Sequence, residues 1–178
     1  KTLAAIDSEG VGVISIAETK LNLFTRKTTT KLTKTLLPSL PKDAEINFAL
    51  VSDTGEEVYF GEKSSKVYRF NARNFDKPFL AEVKDLLPSG TQLTILGFLL
   101  GRKSLVVGGA DGSVNIYFLL AKEGANTRDG YELIKTRVFE PHVSQVTAFS
   151  PANGVKHLPL PTTKATSGYA KAQVKRRF

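Results

Sequence analysis

The stretch SLVVGGADGSVNIYFLL, residues 104 to 120, sets an apolar run from Leu105 to Val107 against a short turn, Gly109-Ala110-Asp111-Gly112. Beyond the turn, apolar and polar residues alternate, with Val114, Ile116 and Phe118 on one phase. A period of two on either side of a Gly/Asp turn reads as strand, tight turn, strand. The open question is whether this is one hairpin or one copy of a repeat.

Sliding the chain against itself answers it. LPSGTQLTILG begins at Leu87 and LPKDAEINFAL at Leu40, 47 residues earlier. At that offset Pro41 falls on Pro88, Ile46 on Leu93 and Phe48 on Ile95. Downstream, Gly61 falls on Gly108, Val67 on Val114 and Phe70 on Tyr117, with Ser64-Ser65 in place of Asp111-Gly112. A third copy, EPHVSQVTAFS, starts at Glu140, and a partial one, LAAIDSEGVGVISI, opens the chain around the turn Asp7-Ser8-Glu9-Gly10.

Each unit reads as four short strands. The first covers Ile46–Val51 or Leu93–Phe98, the second Glu57–Phe60 or Ser104–Val107, and the third Val67–Asn71 or Val114–Leu119. A polar loop leads to the fourth, Ala81–Leu86 or Glu132–Phe139. FLAEVKDLL, residues 79 to 87, is the only stretch that also suits a helical turn. Four strands per period with turn residues between them describe a propeller blade. A meandering sandwich or barrel would also give short strands, but not the same Pro, Gly and apolar positions at a fixed long offset.

The expected fold is therefore all-β: a partial β-propeller of about three four-stranded antiparallel blades with an irregular basic tail. Residues 1–150 form the repeat domain. It holds a partial blade at 1–37 lacking its first strand, blades at about 38–87 and 88–140, and the start of a further blade at 141–150. Residues 151–178 form the tail or a discontinuous segment. Three blades do not close a propeller. With no initiator Met and no signal-peptide shape in KTLAAIDSEG, the chain reads as an excised piece of a longer one.

Composition bounds the chemistry. The 178 residues are 41% hydrophobic, enough for a core, and contain no Cys, which excludes disulfides and thiolate metal sites. No segment reaches the roughly 18 apolar residues of a membrane helix. The net charge of +8 is uneven: residues 151–178 hold six basic and no acidic side chains, leaving 19 basic and 17 acidic in the first 150. The basic tail suits anionic lipid or a solvated terminus. With only Tyr169 and Phe178 as aromatics, it makes nucleic acid a poor partner. A second basic stretch, TRKTTTKLTKT at 25–35, reads as an exposed hairpin edge on which Lys discourages aggregation.

Candidate catalytic residues are few. His142 reads as a structural loop residue, and His157 has no ligand-type residue at metal spacing. Asp7, Asp53 and Asp111 lie in or near turns, where Asp bonds its own backbone, so turn chemistry explains them better than acid–base work. VVGGADG has no following helix to hold a phosphate. No catalytic, cofactor-binding or metal residue is assigned, no cofactor is expected, and the chain reads as non-enzymatic.

HVSQVTAFSP and GGADGSVNIY resemble the WD-repeat pattern, although Ile116-Tyr117 stands where that pattern has Trp-Asp. AAIDSEGVGVISIAETKLNLFT, LVVGGADGSVNIYFLLAKEG and YELIKTRVFEPHVSQVTAFSP together are similar to the large extramembrane insert of Pst-type phosphate ABC-transporter permeases of Gram-negative bacteria. The similarity covers residues 1 to 151. It implies a non-enzymatic accessory domain on the periplasmic side of the bacterial inner membrane, taking part in phosphate import by docking or regulation. Its implied partners are the membrane-embedded remainder of the permease, the other transporter subunits and a periplasmic phosphate-binding protein. The alternative is a soluble WD-like scaffold for protein or nucleic-acid-associated assembly.

Overall fold

The computed structural model describes residues 1–99 and 104–149. Eleven strands and no helix occur among them. They form three antiparallel sheets in chain order. The first contains β1 (Thr2–Ile6), β2 (Gly12–Leu21) and β3 (Thr28–Leu36). The second contains β4 (Ile46–Val51), β5 (Glu57–Glu62), β6 (Lys66–Asn71) and β7 (Phe79–Asp85). The third contains β8 (Leu93–Phe98), β9 (Ser104–Gly109), β10 (Val114–Ala121) and β11 (Tyr131–Val138). FLAEVKDLL is strand, not helix: β7 pairs along β6 from Phe79 to Asp85. Residues 139–149 lie in no strand, and the tail from 151, with His157, lies outside the described residues.

The 47-residue offset is reproduced in the ladders. Val67 pairs with Gly61 and Val114 with Gly108. A bulge interrupts β4 between Ile46 and Phe48, and its counterpart interrupts β8 between Leu93 and Ile95. A second bulge lies at Arg69/Phe70 and recurs at Ile116/Tyr117. Bulges bend and twist a strand locally, so both four-stranded sheets are shaped by the same two irregularities.

The first sheet corresponds to the last three strands of a blade. Leu40 donates its amide to Gly10 O at 3.2 Å, as His142 does to Gly112 O at 2.9 Å. The turn Asp7–Gly10 thus corresponds to the turn ending at Gly112. The same turn position has positive φ in all three sheets: Gly10 at 80°, Ser65 at 95° and Gly112 at 83°. Glycine takes this conformation without strain, and a β-carbon does not. At Gly112 a β-carbon would also lie 2.1 Å from His142 O.

Two apolar seams hold the stack. Between the first and second sheets, Ile14, Leu37 and Leu40 pack with Val58, Phe60, Tyr68 and Phe70. Between the second and third, Tyr59, Val67 and Leu86 pack with Leu93, Leu105, Val107, Tyr117 and Leu133. Phe70 thus faces the preceding sheet, as its repeat partner Tyr117 does, while Val67 faces the following one. β5 and β9 are buried on both faces, which explains why they read as continuous apolar runs rather than alternating ones.

Candidate functional site

The densest charge cluster lies in the seam between the second and third sheets. β6 reads KVYRFN, and its period of two sends Tyr68 and Phe70 into one seam and Val67 and Arg69 into the other. Arg69 is fully buried. A guanidinium has five N–H donors and must fill them when buried. Here each has a partner. Nε donates to Glu82 at 3.3 Å, and Nη1 donates to Glu57 at 3.1 Å and Asp129 at 2.7 Å. Nη2 donates to Asp129 at 2.9 Å and to Tyr131 O at 2.7 Å.

Local structure aims each partner. Glu57 of β5 and Glu82 of β7 flank Arg69 across the sheet, since Glu82 pairs with Arg69 directly and Glu57 pairs with Asn71, two residues on. Asp129 comes from the β10–β11 loop, held by the Tyr131 amide at 3.2 Å and the Asn71 side chain at 2.9 Å. Glu82 also accepts the Leu133 amide at 3.0 Å, and Lys84 Nζ donates to Leu133 O at 2.6 Å. Side chains of one sheet therefore bond both the loop and the edge strand of the next. Arg73 closes the rim, stacking 4.6 Å over the Tyr131 ring and 3.7 Å from Glu57 Oε1.

The carboxylates differ in character. Burial alone would raise the Asp129 pKa, but hydrogen bonds from Arg69 and Asn71 outweigh it and hold the carboxyl well below the usual range. For Glu57 burial wins over the Arg69 and Arg73 charges and raises it. Its Oε1 is buried without a hydrogen-bond partner. Nearby, Tyr117 donates its hydroxyl to Leu86 O across the same seam, and burial pushes its pKa up to about 12. The cluster can clamp two blades together. The Arg69 donors are all spent on these carboxylates and on backbone, while Glu57 Oε1 accepts no hydrogen bond.

The residues singled out from the sequence are turn residues. Asp7 Oδ1 accepts the amides of Glu9 and Val11 at 3.0 and 2.8 Å. Asp111 Oδ1 accepts the amide and hydroxyl of Ser113 at 3.0 and 2.6 Å, which lowers its pKa. Asp53 lies in the β4–β5 turn. His142 is exposed, tied by its backbone to Gly112. His142 thus lies at the turn that holds Asp111, joined to it through backbone, and no side-chain bond between the two is formed. The basic stretch at 25–35 forms most of edge strand β3 and the turn before it, as expected. Among the described residues no group of three His, Cys, Asp or Glu is placed to hold a metal, and no helix is long and apolar enough to cross a membrane.

No family model and no curated protein matches the chain. Among solved structures it is similar to the crystal structure of the β-propeller domain of Cps50 (Swd1) from Myceliophteria thermophila, at 14% identity and a TM-score of 0.50. The likeness covers 78% of this chain and 41% of that one, so the chain spans about two fifths of the length of its structural neighbour. At that identity the likeness concerns fold alone, and with the repeated ladders it makes the chain a stack of β-propeller blades.

Proposed function

We propose that this chain is a non-catalytic docking or regulatory module, the extramembrane accessory domain of a Pst-type phosphate permease that its sequence resembles. The observation that carries the non-catalytic reading is the Arg69 cluster. The most concentrated ionisable groups of the described residues are bound chiefly to one another inside a blade seam, with all five Arg69 donors engaged. Such an arrangement stiffens a platform, and chemistry on a substrate would require one of those groups to be released. The permease setting rests on the three sequence stretches quoted above, and it places the module on the periplasmic side, where a phosphate-binding protein would dock.

The full-length reading frame tests the setting. Several spans of about 20 apolar residues beside this segment agree with a permease, and a frame without one overturns it in favour of a scaffold. The non-catalytic reading is tested by His142→Ala and Asp111→Ala. Each is expected to cost about 1 kcal/mol or less, and a turnover lost in either variant would contradict the proposal.

A further inference from the structure

The distal half of the β2–β3 hairpin stands apart from the other described residues. Every residue from 18 to 34 is exposed, yet the ladder runs unbroken from Val13↔Leu36 to Leu21↔Thr28. Its counterpart between β6 and β7 is shorter and is interrupted by a bulge. At the tip, Leu23 is 82% and Phe24 100% exposed. The tip backbone is internally bonded. Asn22 Oδ1 accepts the amides of Phe24 and Thr25 at 3.0 and 3.1 Å, and the Asn22 amide donates to Lys27 O at 2.9 Å. Arg26 takes φ of 51° to close the loop.

Two neighbouring large apolar side chains are exposed on a tip where the amides of Asn22, Phe24 and Thr25 are already bonded, which lowers the cost of entering an apolar phase, where unbonded backbone is costly. Behind them the arm is basic. Residues 12–36 carry Lys20, Arg26, Lys27, Lys31 and Lys34 against Glu18 alone, a surplus of four positive charges. Aromatic and aliphatic groups at the leading end with cations set behind match a bilayer surface, hydrocarbon first and anionic headgroups next. A protein surface would have to supply an apolar pocket and an acidic rim together, and an anionic bilayer supplies both everywhere.

We infer that the β2–β3 hairpin is a membrane-contacting arm that inserts Leu23 and Phe24 into an anionic lipid surface and holds headgroups with Arg26 and Lys27. The inference is independent of the proposed function, since any membrane-proximal propeller could carry such an arm.

The chain contains no Trp, so Phe24→Trp in the full 178-residue chain gives a lone reporter at the tip. With vesicles of phosphatidylglycerol and phosphatidylcholine its emission should shift to the blue and be quenched by nitroxide-labelled lipid, and with pure phosphatidylcholine the shift should be much weaker. In cosedimentation, Leu23→Ser with Phe24→Ser should weaken binding at least tenfold. Arg26→Gln with Lys27→Gln should weaken it roughly twenty-five-fold at low salt, at about a factor of five per cation. These positions are exposed, and a native circular dichroism spectrum checks the fold of each variant. Unshifted Trp emission on anionic vesicles overturns the inference, whether the chain fails to bind or binds through its basic tail. So does an emission shift caused only by a protein partner.

Discussion

The two seams of the blade stack solve the same packing problem differently. The seam between the first and second sheets is apolar except for the buried Tyr68 hydroxyl, which donates to Glu62, with Phe60 and Phe70 edge to face at 5.8 Å and Ile14, Val58 and both rings fully buried. The seam between the second and third has an apolar body but is closed at one side by a buried cation with three carboxylates. Apolar contact is non-directional and tolerates small slides. Five hydrogen bonds from one planar guanidinium tolerate almost none. The repeat supplies a generic interface, and Arg69 converts one copy of it into a fixed registration. At the equivalent place in the third sheet stands Ile116, so the clamp is particular to one seam.

The largest effect is expected at Arg69. Arg69→Met keeps most of the volume but leaves Glu57, Glu82 and Asp129 without their common cation. A loss of about 3–5 kcal/mol in urea unfolding is expected, as for other buried ion pairs stripped of one partner. A loss under 1 kcal/mol would mean that water replaces the guanidinium and that the seam is loose.

Asp129→Asn should cost about 2 kcal/mol at neutral pH, by losing a charge-assisted bidentate pair, and the cost should depend on pH. The folded carboxyl is held below its ordinary value. Its contribution is therefore complete above an unfolded pKa of about 4 and is lost as pH falls toward the folded value. The gap between wild type and variant should shrink below about pH 4. Glu57 works in the opposite sense. Its folded pKa is raised, so its ionised form is a cost above about pH 4.5 that acid relieves. Glu57→Gln should accordingly stay within about 1 kcal/mol of wild type at pH 7. In the apolar seam, the cost of Phe60→Ala should not vary across the same pH range.

The smallest expected effect is a gain. Ser65 holds φ of 95° where the other two sheets have glycine, and its hydroxyl makes only a 3.5 Å contact to Asp85. Ser65→Gly should stabilise the chain by about 1 kcal/mol, measured by thermal unfolding. A loss instead would show that the Asp85 contact outweighs the backbone strain.

The sequence carried much of the fold because its signals were local or periodic. Pro41 against Pro88, Gly61 against Gly108 and the turn residues marked the repeat, and the ladders follow it to the bulge. Read from sequence, β5 and β9 end two residues short of Glu62 and Gly109, because these buried strands give no alternation to count, and β7 and β11 run one residue too far, to Leu86 and Phe139. The Arg69 cluster was not legible. Its partners Glu82 and Asp129 lie 13 and 60 residues away, and Asp129 sits in a polar loop whose path no pattern announces. One signal was present: Arg69 is a charge set between the aromatic residues Tyr68 and Phe70, at a position where the repeat partner has Ile116. In the same way, the basic residues at 25–35 were visible, but that Leu23 and Phe24 stand clear of every core is a property of the long hairpin.

The most direct test of the clamp is a double-mutant cycle between Arg69→Met and Asp129→Asn, followed by urea unfolding at pH 7. If the two side chains lock the second sheet to the third, their effects are strongly coupled, and an interaction energy of about 2 kcal/mol is expected, within the range for residues sharing a buried network. Effects that add to within about 0.5 kcal/mol would show that Arg69 and Asp129 act independently and that no clamp joins the two blades.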